Sequence, residues 1–141
     1  MKCFDRIWRL LQREPWWAEL WSAVTALAWA GLGWGSTSGI TFDLDAWPSM
    51  QVLLRLGGDQ FWHSAAAVLG IAQLLFLALD RRWLRWMAAV AGGWFWAVLT
   101  LGVWAAVPWA PAVAVYAGWC GVNVISILRL PHRHGWRGHD R

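Results

Sequence analysis

Residues 86–106 read WMAAVAGGWFWAVLTLGVWAA, a run of 21 residues without a charged side chain. At a rise of about 1.5 Å per residue, a helix of this length spans the roughly 30 Å hydrocarbon core of a bilayer. The run is rich in Ala, Gly and Trp and does not alternate between polar and apolar residues, which favours a helix over a barrel strand. It therefore predicts a transmembrane helix.

Three further apolar runs of similar length occur in the chain. With 59% hydrophobic and 14% charged residues among 141, a water-soluble core of this size could not hide the apolar surface. We therefore expect an all-α integral membrane protein, a four-transmembrane-helix bundle forming one domain over residues 1–141. The predicted spans are residues 16–35, 61–79, 86–106 and 110–128.

The basic residues are concentrated on one side of this topology. Of the 12 Lys and Arg, 11 lie before the first span, between the second and third, or after the fourth. The topology determinants beside the later spans are Arg81, Arg82, Arg85, Arg129 and Arg133. The loop of residues 36–60 has only Arg55, and the turn of residues 107–109 has no charge. Because short basic segments stay in the cytoplasm, we expect both termini there, in a bacterial inner membrane.

The same distribution argues against nucleic acid as a partner. A nucleic-acid-binding surface collects its basic residues in one patch with interleaved aromatic residues. Here they are divided among the leader, the loop of residues 80–85 and the tail of residues 129–141. We therefore expect the lipid bilayer to be the partner that the charge pattern reflects.

Two segments outside the spans have helical patterns of their own. Residues 1–14 place apolar residues on one face and basic residues largely opposite, which predicts a cytoplasmic amphipathic surface helix. In the outer loop, Asp45 caps a predicted short helix that ends at Gly57 and Gly58. This helix is too short to cross, so it is either interfacial or re-entrant.

Ala28-Trp29-Ala30 resembles a signal-peptidase site in its small-x-small form. Glu19 and the bulky tryptophans that precede the site disfavour cleavage. We therefore expect the first span to be retained.

The chain has 16 Trp residues, and two roles are expected for them. Several fall at predicted span ends, where indole rings anchor helices at the membrane interface: Trp16, Trp17, Trp34, Trp62, Trp83, Trp86 and Trp109. Others lie deeper, where they pack against small residues or, as the alternative, stack on a flat cofactor: Trp21, Trp29, Trp94, Trp96, Trp104 and Trp119. No particular cofactor follows from them.

Pairs of small residues four positions apart allow helices to approach closely. The pairs are Ala66 and Gly70, Ala88 and Gly92, Ala89 and Gly93, Ala114 and Gly118, and Ala117 and Gly121. We expect them to pack within the bundle, and a face for oligomerisation is the alternative.

Few polar residues interrupt the spans. Gln73 and Asn123 lie at similar depths from the cytoplasmic boundary, which predicts an interhelical contact between them. Asp59 and His63 have i, i+4 spacing near the outer face and form a candidate polar site. Glu19 is expected to reach water or to meet a cytoplasmic arginine.

No catalytic or metal-binding arrangement is recognisable in the sequence. Cys3 and Cys120 are too far apart in the topology for a disulfide, and no Cys-x-x-Cys occurs. The tail contains His132, His134 and His139, of which the first two form a His-x-His, but no third ordered ligand is evident for a metal site. We therefore expect a protein that is not an enzyme.

Three classes of function remain open on the sequence. The first is an accessory or assembly subunit that packs against a larger membrane complex or its own copies. The second is a holin-like protein of phage type that permeabilises membranes, which small size, several spans and a basic tail suggest. The third is a carrier or a binder of a hydrophobic cofactor.

Overall fold

The computed structural model describes residues 16–34, 47–79 and 81–129. Within these ranges the chain forms four α-helices, which we number α1 to α4, and a single 3-10 turn, without a strand. The elements are α1 (Trp16–Trp34), the 3-10 turn (Pro48–Met50), α2 (Gln51–Ala78), α3 (Arg82–Ala106) and α4 (Pro111–Arg129). The predicted surface helix of residues 1–14, Cys3, Asp45, Arg133 and the tail histidines lie outside the described residues.

Among the described residues, three segments are long and apolar enough to cross a membrane: Pro48–Ala78, Arg82–Ala106 and Pro111–Arg129. Helix α1 is not among them, although it has 19 residues. Five of these residues are Trp and one is Glu19. Both residue types reduce the apolar character of a helix, Glu through its carboxylate and Trp through its polar indole N–H. Length and composition therefore support three of the four predicted spans.

Helix α2 begins ten residues earlier than the predicted second span. It includes a kink at Gly58, where φ is 69° and ψ is 167°. Glycine adopts this positive φ without the steric penalty that a Cβ would impose. The predicted short helix is therefore continuous with the span in sequence and separated from it by a change in direction.

Helix α3 also begins earlier than predicted, at Arg82 rather than Trp86. Arg and Leu are good helix formers, and no Gly or Pro interrupts residues 82–86, so the helix extends into the predicted cytoplasmic loop. At its other end, Val107 leaves the helical conformation and a turn leads to α4. Pro111 opens α4, at a position where its missing N–H removes no helical hydrogen bond.

The four helices pack side by side, with the most extensive contacts between α1 and α2 and between α3 and α4. Contacts of α2 with α3 and of α1 with α4 complete the arrangement. The start of α1 lies beside the start of α3, because Glu19 pairs with Arg85. The end of α2 lies beside the end of α4, because Gln73 contacts Asn123. Successive helices therefore alternate in direction.

We call the end with Arg82 and Arg129 the basic end, and the end with Trp34 and Pro111 the loop end. Buried residues recur at alternating intervals of three and four positions, the spacing that makes one helix face continuous when helices pack at a shallow angle. In α1 these residues are Glu19, Ser22, Ala26, Trp29 and Gly33. In α3 they include Ala89, Gly92, Trp96, Leu99 and Val103.

At the loop end, the segment before Gly58 is packed into the helices. Leu53 is 2% exposed, and a Cβ built on Gly102 of α3 would lie 2.5 Å from Leu53 Cδ2. Trp62 Nε1 donates a hydrogen bond to the Leu53 carbonyl at 2.7 Å. Trp62 is buried, so the interfacial anchor predicted at this position is a core residue in the structure.

Candidate functional site

A polar cluster, formed by Ser22, Gln73 and Asn123, lies inside the basic end of the helices. Asn123 is 1% exposed. Its Nδ2 donates to Ser22 Oγ at 3.0 Å and to the Trp119 carbonyl at 2.9 Å. Its Oδ1 accepts from Ser22 Oγ at 3.3 Å and from Gln73 Nε2 at 3.2 Å. The carboxamide of Asn123 therefore joins α4 to α1 and α2, with both of its polar atoms satisfied.

Gln73 connects the polar cluster to α3. Its Nε2 also donates to the Ala88 carbonyl at 3.4 Å, while its buried Oε1 has no hydrogen-bond partner. Gly92 provides the space for this contact, because a Cβ built there would lie 2.5 Å from Asn123 Oδ1 and 2.6 Å from Gln73 Nε2. The structure thus brings together Gln73 and Asn123, the two residues that the sequence paired.

An ion pair lies one helical turn closer to the basic end. Arg85 Nε donates to Glu19 Oε2 at 2.8 Å, and Arg85 Nη2 donates to Glu19 Oε1 at 3.1 Å. The side chains are 12% and 5% exposed, respectively. A carboxylate is tolerated on this buried face because a guanidinium binds both of its oxygens. Of the two environments expected for Glu19, the structure shows the contact with an arginine.

Aromatic side chains occupy the interior between the polar cluster and the loop end. Trp96 is fully buried, and its Nε1 donates to Ser22 Oγ at 3.4 Å. The Trp96 ring stacks on Tyr116 with the ring centroids 5.7 Å apart. Tyr116 Oη in turn accepts from Trp29 Nε1 at 3.3 Å. Both buried indole N–H groups therefore have acceptors, which is the requirement that a buried Trp imposes.

The remaining tryptophans divide between inner and outer surfaces. Five of the predicted anchors are exposed: Trp16, Trp34, Trp83, Trp86 and Trp109. Three of the tryptophans predicted to lie deep within the spans also face outward: Trp21, Trp94 and Trp104. These three side chains are directed away from the interior of the described residues.

A second polar site lies at the loop end. His63 Nε2 lies 3.0 Å from Asp59 Oδ1 on the same helix, which is ion-pair distance, and Nδ1 has no hydrogen-bond partner. The imidazole stacks against Trp29 with the ring centroids 4.6 Å apart. It also occupies the space that a side chain at position 33 would need, since a Cβ on Gly33 would overlap the ring. The structure therefore brings Asp59 and His63 into contact at the i, i+4 spacing that the sequence predicted.

Helix α4 differs from the others in how little of it is covered. Its buried residues are Tyr116, Asn123 and Ser126. Only 17% of the apolar stretch of α4 is buried, compared with 39% for the candidate span that contains α2 and 44% for α3. A Cβ built on Gly118 or Gly121 would meet nothing within 4 Å. The small-residue pairs of α4 therefore face outward. The expectation that they pack within the bundle was wrong for this helix.

The small-residue pairs of α2 and α3 do pack inside. A Cβ on Gly70 would lie 2.6 Å from Leu27 Cγ of α1, and Ala66 is fully buried. Gly92 faces the polar cluster, and a Cβ built on Gly93 would lie 3.7 Å from Asn123 Cβ. Intramolecular packing thus accounts for these pairs but not for those of α4.

The chemistry that these groups provide is mainly neutral hydrogen bonding. Across residues 16–34, 47–79 and 81–129, no three His, Cys, Asp or Glu side chains are grouped so that they could hold a metal ion. Cys120 is a free thiol, 3.6 Å from the Gly93 carbonyl. The polar cluster and the pair of Glu19 with Arg85 join different helices, whereas His63 and Asp59 pair within α2.

Sequence reasoning missed Ser22 and Trp96 as members of this network, and it did not choose Arg85 as the partner of Glu19. Ser22 has the right spacing from Glu19 to share its helix face. Arg85 has the corresponding spacing from Ala89 on the buried face of α3. The three-and-four spacing was therefore a usable signal, although it does not say which helix lies opposite.

Comparison with known protein families, with curated proteins and with solved structures finds no match to this chain.

Proposed function

We propose that this protein crosses a bacterial inner membrane four times, with both termini in the cytoplasm, and acts as a non-catalytic accessory or assembly subunit. Its docking surface is the outward face of α4, which packs against a larger membrane complex or against other copies of the chain. The uncovered small-residue face of α4 is the observation that carries this proposal.

The inclusion of α1 as a fourth span is supported by its partners. Its 19 residues have a helical length of about 28 Å, close to the hydrocarbon thickness of a bilayer. The charge of Glu19 is matched by Arg85, and Ser22 is bonded to Asn123. A helix that is insufficiently apolar alone is stabilised in the membrane when its polar groups bond to neighbouring helices.

The orientation is supported by the position of the basic residues. The described residues Arg81, Arg82, Arg85 and Arg129 all belong to the basic end, where the ends of α2 and α4 meet the start of α3. Arginines beside short loops are retained in the cytoplasm. With four spans, the two termini lie on this same side.

The case for docking through α4 depends on van der Waals packing. Helices in lipid gain no hydrophobic energy from association, so they associate where small residues allow backbones to approach. Gly118 and Gly121 leave such a depression, and the exposed side chains beside it are apolar: Val115, Val124, Ile125 and Leu128. This surface fits another apolar helix better than the hydrated lumen that a holin-like pore requires.

The experiment is a measurement of native mass after extraction in a mild detergent, comparing the natural chain with Gly118→Leu and Gly121→Leu. Each substitution fills the depression on α4, and the new Cβ would meet nothing within 4 Å among the described residues. We expect the natural chain to have the mass of a complex and the two variants to have the mass of one chain. Unfolding in detergent should be unchanged, because the altered surface makes no internal contact.

Gly31→Leu is the matched control. Gly31 is also exposed, and a Cβ there would meet nothing within 4 Å, but it lies on α1. This variant should keep the natural mass. A natural chain that is monomeric, or α4 variants that retain the complex, would contradict docking through α4. Large homo-oligomers accompanied by depolarisation of the cell would instead support the holin-like function.

A further inference from the structure

The basic end carries positive charge that the described residues do not neutralise. Arg81, Arg82 and Arg129 are exposed, and among the described residues none of the three forms an ion pair. Glu19, the acidic residue described at this end, is bonded to Arg85. Three guanidinium groups are therefore available to anions from outside the described part of the chain.

Beside Arg82, the outward face of α3 is aromatic and apolar. Trp83, Trp86 and Met87 are 64%, 41% and 43% exposed. They follow Arg82 by one, four and five positions, which places the four side chains on one helix face across the first two turns. An arginine at the end of a helix with tryptophans just inside it matches the order of groups in a phospholipid, a charged headgroup above the glycerol esters and acyl chains.

Helix α4 brings Arg129 to the same depth. A Cβ built on Gly93 of α3 would lie 3.7 Å from Asn123 Cβ and 3.8 Å from Ile127 Cδ1. Because α3 and α4 run in opposite directions, Arg129 is level with about the second turn of α3, where Trp86 lies. The two neighbouring helices therefore each supply an exposed arginine within roughly one turn of the same level.

We propose that Arg82 and Arg129, together with the aromatic face of Trp83 and Trp86, bind the headgroup of an anionic phospholipid. A guanidinium binds phosphate oxygens through two parallel N–H donors, and an indole ring lies at the level of the glycerol esters. A zwitterionic headgroup carries an ammonium group beside its phosphate, and this group repels the arginines. The site therefore selects lipids by the net charge of the headgroup.

This selection goes beyond the topological role of the same residues. Arginines set the orientation while the chain is inserted, which requires no lipid to stay bound afterwards. Interfacial tryptophans lie at the headgroup level whatever the lipid charge. The inference is also independent of docking through α4, because Gly121, the nearer glycine of the depression, lies about 12 Å along the helix from Arg129.

The test is native mass spectrometry of the full chain in a mild detergent, titrated with phosphatidylglycerol or with phosphatidylcholine of the same acyl chains. The fraction of chains that carry lipid at each concentration gives an apparent Kd for each lipid. We expect phosphatidylglycerol to bind more tightly on the order of tenfold, because each arginine near an anionic headgroup contributes a factor of about five.

Single substitutions identify the arginines that hold the headgroup. Arg82→Gln and Arg129→Gln should each weaken the binding of phosphatidylglycerol about fivefold and leave that of phosphatidylcholine unchanged. Arg55→Gln is the matched control, because it removes the same charge from an exposed position at the loop end. This variant should bind both lipids as the natural chain does.

Equal affinity of the natural chain for the two lipids would overturn the proposal. An equal loss of affinity in Arg55→Gln would also overturn it, since the net charge of the chain would then account for binding. Glycerol phosphate, a soluble competitor, should not displace phosphatidylglycerol at equal concentration, and displacement would assign the site to free phosphate rather than lipid. If Arg129→Gln does not fold, the comparison of Arg82→Gln with Arg55→Gln decides the result.

Discussion

The contact between Gln73 and Asn123 depends on the residue that faces them, Gly92. The two amides meet at 3.2 Å because α3 presents only a hydrogen atom at this position. Polar side chains in a membrane are stable only when they have partners. Gly92 is therefore as necessary to the polar cluster as the groups that form its hydrogen bonds.

Replacement of Gly92 by Ala should destabilise the protein by about 1–3 kcal/mol, because the new methyl group overlaps both amides and pushes the helices apart. Gly93→Ala is the matched control, since its Cβ would have ordinary contacts at 3.7 Å and 3.8 Å. Unfolding of the two variants in a graded series of denaturing detergent provides the measurement. Equal stability of Gly92→Ala and Gly93→Ala would mean that the cluster is not closely packed.

For single residues, the sequence identified polar side chains within apolar helices but did not identify most of their partners. Gln73 and Asn123 could be paired because both lie at comparable depth in apolar helices. Ser22 was not chosen, because a serine satisfies its hydroxyl on its own helix backbone as readily as across an interface. The overlap of His63 with the position of a Gly33 side chain depends on the rotation of two helices, which sequence spacing does not determine.

Among the helices, α1 is held by polar contacts to a greater extent than its composition predicted. Glu19 and Arg85 form a bidentate pair that is largely buried. Removal of one partner from such a pair leaves a charge in a poorly hydrated place, whereas removal of both does not. The ion pair therefore gives α1 a strong dependence on α3.

Arg85→Gln should destabilise the association of α1 with the other helices by about 3–5 kcal/mol, because Glu19 keeps its charge and loses its partner. The double variant Glu19→Gln with Arg85→Gln should be more stable than Arg85→Gln alone. A double-mutant cycle on unfolding free energies gives the coupling. If the effects of the two single substitutions simply add, the two side chains do not interact in the membrane.

The segment before Gly58 provides a second prediction about an element. In Gly102→Ala, the new methyl group should collide with Leu53 and displace this segment from α3, at a cost of about 1–3 kcal/mol. A change of this size lowers the population in which the segment is packed against α3 on the order of tenfold. Ser49→Cys, a buried position, should then react faster with a water-soluble maleimide. Gly31→Ala is the control, and the reaction rate of Ser49→Cys should be unchanged in that background. If the rate is also unchanged with Gly102→Ala, Leu53 does not hold the segment in place.

The positions of helices were the part of the structure that could be predicted best. Long apolar runs without charges identified α3 and α4 within a few residues, because a bilayer leaves helices as the main way to satisfy the backbone. The start of α2 was missed because Gly57 and Gly58 predict a helix end, whereas the chain bends at Gly58 and continues. The burial of Trp62 could not be predicted, since it depends on that bend.

For the whole molecule, the arrangement separates two kinds of surface. Ser22, Gln73 and Asn123 are directed inward and bonded across helices, while large apolar side chains such as Trp94 and Leu101 face outward. The outward direction of Gly118 and Gly121 became evident only when the neighbours of α4 were known. The same pattern of small residues is covered on α2 and uncovered on α4, so the pattern alone does not separate a core from a docking surface.

The central claim is that α1 crosses the membrane as a fourth span, which places the leader and the loop after α1 on opposite sides. The most direct measurement is the labelling of single cysteines in intact and permeabilised bacteria with a maleimide that does not cross membranes. With Cys120→Ser, natural Cys3 should react only after permeabilisation. With both natural cysteines replaced, Trp47→Cys and Trp109→Cys should react in intact cells and Leu79→Cys only after permeabilisation. Reaction of Cys3 and Trp47→Cys from the same side would show that α1 does not cross and would contradict this account.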